Sequence, residues 1–435
     1  MLTFDILVRL LHQRLDKLPD HRKGGNNTTY ELKDAALGGL AVFFTQSPSF
    51  LAHQKKMEDT KGRSNATTLF GIERTPSTPQ IRNLLDPIPP EELFPVFRSI
   101  LAALEQNETL AQFRAFDNSL LVSFDGTQYF SSQKINCDQC SQQRLNNGQT
   151  LYSHKVVTAV VVNPNLPHVL PLEPEFIRPQ DGHDKQDCEQ QAIKRWVNRN
   201  AERFGEWELT VLTDDLHSHQ PLCELLLDKK MHFIMTCKPD SHPTLYEEVE
   251  LLAKVEGAHH TKTVRRWTGR RHEQWAYHWV RHLPLRTRSK ALRVNWCEVT
   301  VIREDTGKRL YHSAWITSHD LTAESVEAVV DAGRNRWKIE NEGFNVLKNQ
   351  GYNFEHNFGH GHQYLAAVLL TLLLLAFLFH TVLHLSSKVY QAVRQALGAR
   401  RNFFNDLRAL TRYLYFSSWD AMLAFMAQKL ELDTS

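Results

Sequence analysis

Arg336 and Glu340 bracket the stretch Arg336-Trp337-Lys338-Ile339-Glu340. Four residues apart, a guanidinium and a carboxylate share one face of a helix. Far upstream, two apolar runs close on acids, in Phe124-Asp125-Gly126-Thr127 and Leu212-Thr213-Asp214-Asp215. Asp125, Asp214 and Glu340 together supply hard oxygen ligands from three separate elements. Two Mg2+ (or Mn2+) ions require such ligands for phosphoryl transfer, which points to an enzyme that cuts and rejoins nucleic acid. Gly126 permits close approach of a substrate backbone. Asp215 rivals Asp214, because a slip of one residue exchanges which side chain faces the site. Any single Asp after a strand is more often a turn former, so the inference rests on the three acids together.

Positioning these acids takes a sheet whose strand ends meet. Leu120 to Phe124, His154 to Asn163, His168 to Phe176, Leu209 to Leu212 and His232 to Cys237 read as strands. The run His154 to Asn163 is β-branched and continuous, as a strand buried on both faces should be. Helices are expected over Lys185 to Phe204 and after Pro221. This order describes a mixed α/β sheet, with Asp125 and Asp214 at the carboxyl ends of two strands, where ligands of open sheets gather. Residues 257–316 read as antiparallel strands, and a helix from about Ala323 to Asn349 carries Glu340. The chain then divides into a helical N-terminal, DNA-contacting region (1–115), the first part of the α/β core (116–256) and a basic β-rich insertion (257–317). The end of the core (318–385) and a helical tail (386–435) complete it.

The bulk numbers agree with a globular protein of two or three domains: 435 residues, 42% hydrophobic and 23% charged. A formal net charge of +2 says little, but its distribution says more. His259 to Arg293 holds Lys262, Arg265, Arg266, Arg270, Arg271, Arg281, Arg286, Arg288, Lys290 and Arg293 against Glu273 alone, with Trp267, Trp275 and Trp279 interleaved. Cations for phosphates and indoles for unstacked bases suit DNA handling, although each tryptophan taken singly reads better as core. Lys55, Lys56, Lys61, Arg63 and Arg82 give the N-terminal helices a similar reading.

Six scattered cysteines suit a reducing cytoplasm rather than a disulfide framework, and Met1 to Leu11 does not read as an export signal. Tyr364 to Leu385 carries no Lys, Arg, Asp or Glu and is long enough to span a bilayer. With His380 and His384 inside it, a helix wrapped by protein is the preferred reading, with no membrane partner. Cys137-x-x-Cys140 is half of a zinc motif, with His154 or Cys188 as completers and a plain reduced pair as the alternative. His356, His360 and His362 read as loop or capping residues around the turn Asn357-Phe358-Gly359.

Four segments carry a family resemblance: Phe124-Asp-Gly-Thr, Lys185-Gln-Asp-Cys-Glu189, Asp214-Asp-Leu-His217, and the stretch from Arg334 to Lys348. They resemble the DDE transposases of bacterial insertion sequences, in particular the insertion-sequence-four-like group. The resemblance spans about residues 20–385 and implies a ribonuclease-H-like core with a β-strand insertion before the final glutamate. It also implies Asp125, Asp214 and Glu340 as ligands of two metal ions, and terminal inverted repeats and target DNA as substrates. A homodimer would pair two DNA ends. Arg336 matches the arginine of that group's Tyr-Arg-Glu-Lys motif, a DNA contact. Gly333 stands where the motif has tyrosine. Lys348 comes one residue later than the motif's lysine, which on a regular helix puts it about 80° from Glu340. The alternative reading is a catalytically inactive, transposase-derived DNA-binding protein.

Overall fold

The computed structural model describes residues 2–20, 22, 29–57, 64–179, 187–204, 207–287 and 290–433, without the side chains of 54–57. It is an α/β protein in which one mixed sheet is flanked by helical termini. The described strands are β1 (Leu120–Ser132), β2 (Ser141–Arg144), β3 (Thr150–Val162), β4 (Leu170–Pro171), β5 (Glu175–Ile177) and β6 (Leu209–Thr213). They continue with β7 (His232–Thr236), β8 (His259–Trp267), β9 (His272–Pro284), β10 (Arg293–Arg303) and β11 (Arg309–Thr317). Their order across the sheet is β2-β3-β1-β6-β7-β11-β10-β9-β8, with β4 and β5 also paired to β3.

β1 is antiparallel to β3 and parallel to β6, which is parallel to β7. Parallel neighbours need crossovers, and the helices Glu189–Phe204 and Gln220–Asp228 supply them. The segment expected as a single third strand is two short pieces, β4 and β5. The helix expected from Lys185 begins at Glu189, with Lys185 itself outside the described residues.

One correction bears on the site. β1 does not stop at Phe124 but runs on to Ser132, so Asp125 lies inside a 13-residue strand. What ends near Asp125 is the pairing with β6, whose last partners are Ser123 and Leu212. Beyond that point β1 keeps only β3 beside it, which frees one edge. The tail of β1 is partly exposed and lacks an apolar run, so periodicity alone truncates it.

The strands of 257–317 do not form a separate sheet. β11 pairs antiparallel with β7 through Trp315↔Thr236 and its neighbours, so they extend the same sheet. β8 is the free edge, and its exposed and half-buried residues include Lys262, Arg265 and Arg266, charges that discourage edge-to-edge pairing.

Leu365–Ser386 is long and apolar enough to cross a membrane, yet 94% of its most apolar window is buried inside the protein. The helices Phe4–Leu15 and Leu32–Phe44 from the N-terminal side meet it, as does Lys388–Leu397 from the C-terminal side. The two ends of the chain are stitched together around it. Asn65 opens the helix Asn65–Phe70. Its amide donates to the carbonyls of Thr411 (2.9 Å) and Leu414 (2.8 Å) and accepts from Phe416 N (3.0 Å). Asp86 accepts from the backbone amides of His362, Gln363 and Leu365 at 2.9–3.1 Å, satisfying donors at the start of the apolar helix.

His380 is reconciled with its apolar surroundings by two hydrogen bonds. Nδ1 pairs with the Tyr390 hydroxyl (2.7 Å), Nε2 meets the Phe44 carbonyl (2.8 Å), and the ring stacks on Phe44. Burial pushes its pKa down to about 3, so it stays neutral. Replacing His380 by Ala orphans both partners and leaves a void. The expected loss is about 3 kcal/mol or more of unfolding free energy, measured by urea denaturation.

Candidate metal centre

The segment carrying Arg336 and Glu340 lies along one face of β1. Side chains on a strand alternate between faces, so Ser123, Asp125 and Thr127 share one side. Ser123 Oγ donates to the Arg336 carbonyl (3.2 Å), and Lys348 Nζ donates to Thr127 Oγ1 (3.0 Å). Asp125 sits between these two ties, within the field of Glu340 and Arg336. Lys338 anchors the segment from the other side. Its buried ammonium donates to the carbonyls of Asn163 (2.5 Å), Leu166 (2.7 Å) and Pro164 (3.1 Å) beyond β3.

The expected continuous helix is three helical forms in succession. Val326–Arg334 is α-helical, Asn335–Trp337 tightens to a 3-10 turn, and Ile339–Phe344 widens to a π-helical turn before Asn345–Asn349 resumes the α form. The π turn settles the position of Lys348. A π turn accommodates one extra residue, removing about one 100° step. The 80° offset of a regular helix therefore becomes about 20°. Lys348 returns to the face of Glu340, consistent with its bond to Thr127. Arg336 Nη2 reaches Glu340 Oε1 at 2.7 Å, as the spacing of four predicts.

Gly333 packs directly against the sheet. A Cβ there would lie 2.8 Å from Trp315 Nε1 and 2.9 Å from Ile234, so no larger side chain fits without displacing both elements.

Asp214 and Asp215 divide their labour. Asp215 is buried and turned inward, accepting from Lys238 N (2.7 Å) and the Ser241 hydroxyl, which fixes the turn after β7. Asp214 is half-exposed, accepts from Leu216 N (3.2 Å) and acts electrostatically on Asp125 and Glu189.

Glu189 is the residue missed in the sequence. It opens the helix behind β1, on the face of Phe124 and Gly126, where Phe124 meets Trp196 of the same helix edge to face. A Cβ on Gly126 would lie 2.2 Å from the Glu189 carboxyl carbon, so that carboxylate lies against bare backbone. The word ending in Glu189 was itself visible. What hid the role was the absence of any strand-end cue around it.

Three other carboxylates, from separate elements, act on Asp125. Burial, and then the charges of Glu340, Asp214 and Glu189, push Asp125 up to about 7, while Arg336 pulls it down. Burial and the Asp214 charge raise Glu189, with Lys155 opposing. His217 is buried between Asp214 Oδ1 (3.6 Å) and Glu189 Oε2 (3.8 Å), and burial lowers its pKa. The carboxylate oxygens around Asp125 are hard donors, of the kind that divalent cations such as Mg2+ take.

The basic strands are less free than their composition suggests. Arg266 stacks on Trp275 and pairs with Glu327 (2.7 Å), tying β8 to the helix Val326–Arg334. Arg265 pairs with Glu304 (2.8 Å) and Arg271 with Glu273 (3.0 Å). Arg270 is exposed and has no ion pair among the described residues. Trp275 and Trp279 are core, whereas Trp267 is 60% exposed. Arg82 is spent on structure, donating to the Phe358 carbonyl (2.7 Å). Lys61, Arg63, Arg288 and the side chains of Lys55 and Lys56 lie outside the described residues.

A second cluster gathers Cys137, Cys140, His154 and His360, a set that could hold a metal ion such as zinc. Of the two completers expected, His154 joins and exposed Cys188 does not. His360, expected to serve only the turn, supplies the fourth group.

No protein-family profile matches the chain, and no curated protein matches it in sequence.

Two outcomes follow from the geometry. Asp125 binds its proton more tightly folded than unfolded, so without metal its contribution to stability declines as pH rises from about 4 to about 7. Asp125→Asn should therefore stabilise the metal-free protein at pH 8 by about 2 to 4 kcal/mol, with the difference vanishing below about pH 4 in urea titrations. Gly126→Ala should displace Glu189 and weaken Mn2+ binding by about tenfold or more in calorimetric titration.

Proposed function

We propose that this protein is a metal-dependent DNA transposase that cuts at the ends of a mobile element and joins them to target DNA. One observation carries this reading: Asp214 and Glu340, distant in the chain, both act electrostatically on Asp125 beside the end of the β1–β6 pairing. The strand order supports a ribonuclease-H-like core. An antiparallel trio (β1, β3 and β4/β5) is followed by helix, parallel β6, helix and parallel β7, and an antiparallel insertion precedes the glutamate.

Asp125, Asp214 and Glu340, joined by Glu189, would hold two Mg2+ or Mn2+ ions. When bound, such ions supply Lewis-acid stabilisation of charge on the attacking and leaving oxygens of a phosphodiester. The remaining roles belong to the protein's own side chains. Arg336, oriented by Glu340, offers a guanidinium beside the acids to a DNA phosphate. Lys348, brought round by the π turn, offers a second cation two residues along β1 from Asp125. Asp215, Lys338 and Arg266 hold the frame rather than the substrate.

DNA contact outside the site falls to the groups left over after internal pairing. At the β8–β9 turn these are Arg270 and Trp267, the latter a stacking platform for an unpaired base. Two DNA ends must be brought together, so the active species is a homodimer on DNA, in the cytoplasm of a bacterial cell.

The test is cleavage and strand transfer with labelled duplexes made from the DNA on either side of the gene, searched for inverted repeats, in Mg2+ or Mn2+. Asp125→Asn and Glu340→Gln should each lose at least about a hundredfold in cleavage while still binding the duplex. Lys348→Ala should lose about tenfold. Full activity in either carboxylate variant refutes the assignment. Salt-sensitive duplex binding by the wild type, with no metal-dependent nicking, supports the inactive DNA-binding alternative.

A further inference from the structure

The cluster of Cys137, Cys140, His154 and His360 plays no part in the carboxylate site, and its geometry is specific. For tetrahedral zinc, Zn–S bonds of about 2.3 Å and Zn–N bonds of about 2.0–2.1 Å require S···S edges of about 3.8 Å and S···N edges of about 3.6 Å. The observed edges are 3.8 Å between the two Sγ atoms and 3.5 Å from each sulfur to His154 Nε2. Cys140 Sγ lies 3.7 Å from His360 Nε2. All four ligand atoms lie within 4.8 Å of one another. The sulfurs are far beyond the roughly 2.05 Å of a disulfide, and both cysteines are free.

The surroundings are those of a closed site. Cys140, His154 and His360 are buried, and Cys137 is half-buried. Phe130 packs on both imidazoles, and Tyr129 stacks on His154, shielding the cluster with rings. His360 turns Nε2 toward the sulfurs, while its Nδ1 has no hydrogen-bond partner among the described residues.

We propose that these four side chains bind one Zn2+ ion in a closed tetrahedral structural site. Two thiolates and two imidazoles match the softness and geometry of zinc and leave no open position for catalysis. The ion joins three distant parts of the chain: the turn after β1 (Cys137, Cys140), β3 (His154) and the connection entering the apolar helix (His360). That connection also bears Phe354 and Glu355, which meet Tyr129 and Lys348. The zinc thus clamps the strand of Asp125 to the chain that leaves the Glu340 segment. This holds whatever reaction the carboxylates perform.

The experiment measures metal content and thiol protection on the full-length chain under reducing conditions. After reconstitution with Zn2+ and dialysis, elemental analysis should find about one zinc per chain. Co2+ substitution should give the intense visible bands of a tetrahedral thiolate site. His360→Ala and Cys140→Ser should lower zinc occupancy at least about tenfold, whereas His360→Cys and Cys188→Ser should retain it. In the wild type, zinc should block alkylation of Cys137 and Cys140 but not of exposed Cys188, a reading that needs no variant to fold. Less than about a tenth of an ion per chain, or alkylation of Cys137 and Cys140 indifferent to zinc, would overturn the proposal.

Discussion

Holding Asp125 within the field of three other carboxylates is unfavourable, and the contacts around it keep them near. Burial first, and then the repulsion of the neighbouring charges, favour the protonated form of Asp125 and raise its pKa to about 7. A flexible chain would relieve that repulsion by moving apart. Here the Glu340 segment is tied to β1 at Ser123 and Thr127 and anchored by Lys338 beyond β3. It is also pressed onto the sheet at Gly333. Glu189 is held against Gly126 by the packing of Trp196 on Phe124. The strain is local, and the stiffness that resists it is distributed over the whole sheet.

That stiffness begins in the interior. The apolar helix Leu365–Ser386 is the post around which both ends of the chain fold, and its one awkward group, His380, is satisfied at both nitrogens. Asn65 and Asp86 play the same part elsewhere, each serving several backbone groups from distant segments. Buried polar groups used in this way specify one arrangement, since any other leaves them unpaired.

The insertion shows how charge composition and charge function diverge. Its arginines are abundant, but Arg265, Arg266 and Arg271 are engaged with Glu304, Glu327 and Glu273. Two of those acids lie outside the run of basic residues, on segments that only the fold brings near. The edge position of β8 explains the remaining positive charge without reference to any ligand.

By itself, the amino-acid sequence determined the elements and the chemistry available to them. Alternation and β-branching marked most strands, the unbroken apolar run marked the buried helix, and Asp125, Asp214, Glu340 and Cys137-x-x-Cys140 stood out by type and spacing. Only tertiary structure decided which of these meet. It sets Asp214 near Asp125 and turns Asp215 inward, lays Glu189 against Gly126, gathers His360 with the cysteines, and brings Lys348 to Thr127 after the π turn. The reason is physical: periodicity is a local property of the backbone. Convergence of side chains hundreds of residues apart depends on register, on a single extra residue in a helical turn, and on where a glycine leaves room for a carboxylate.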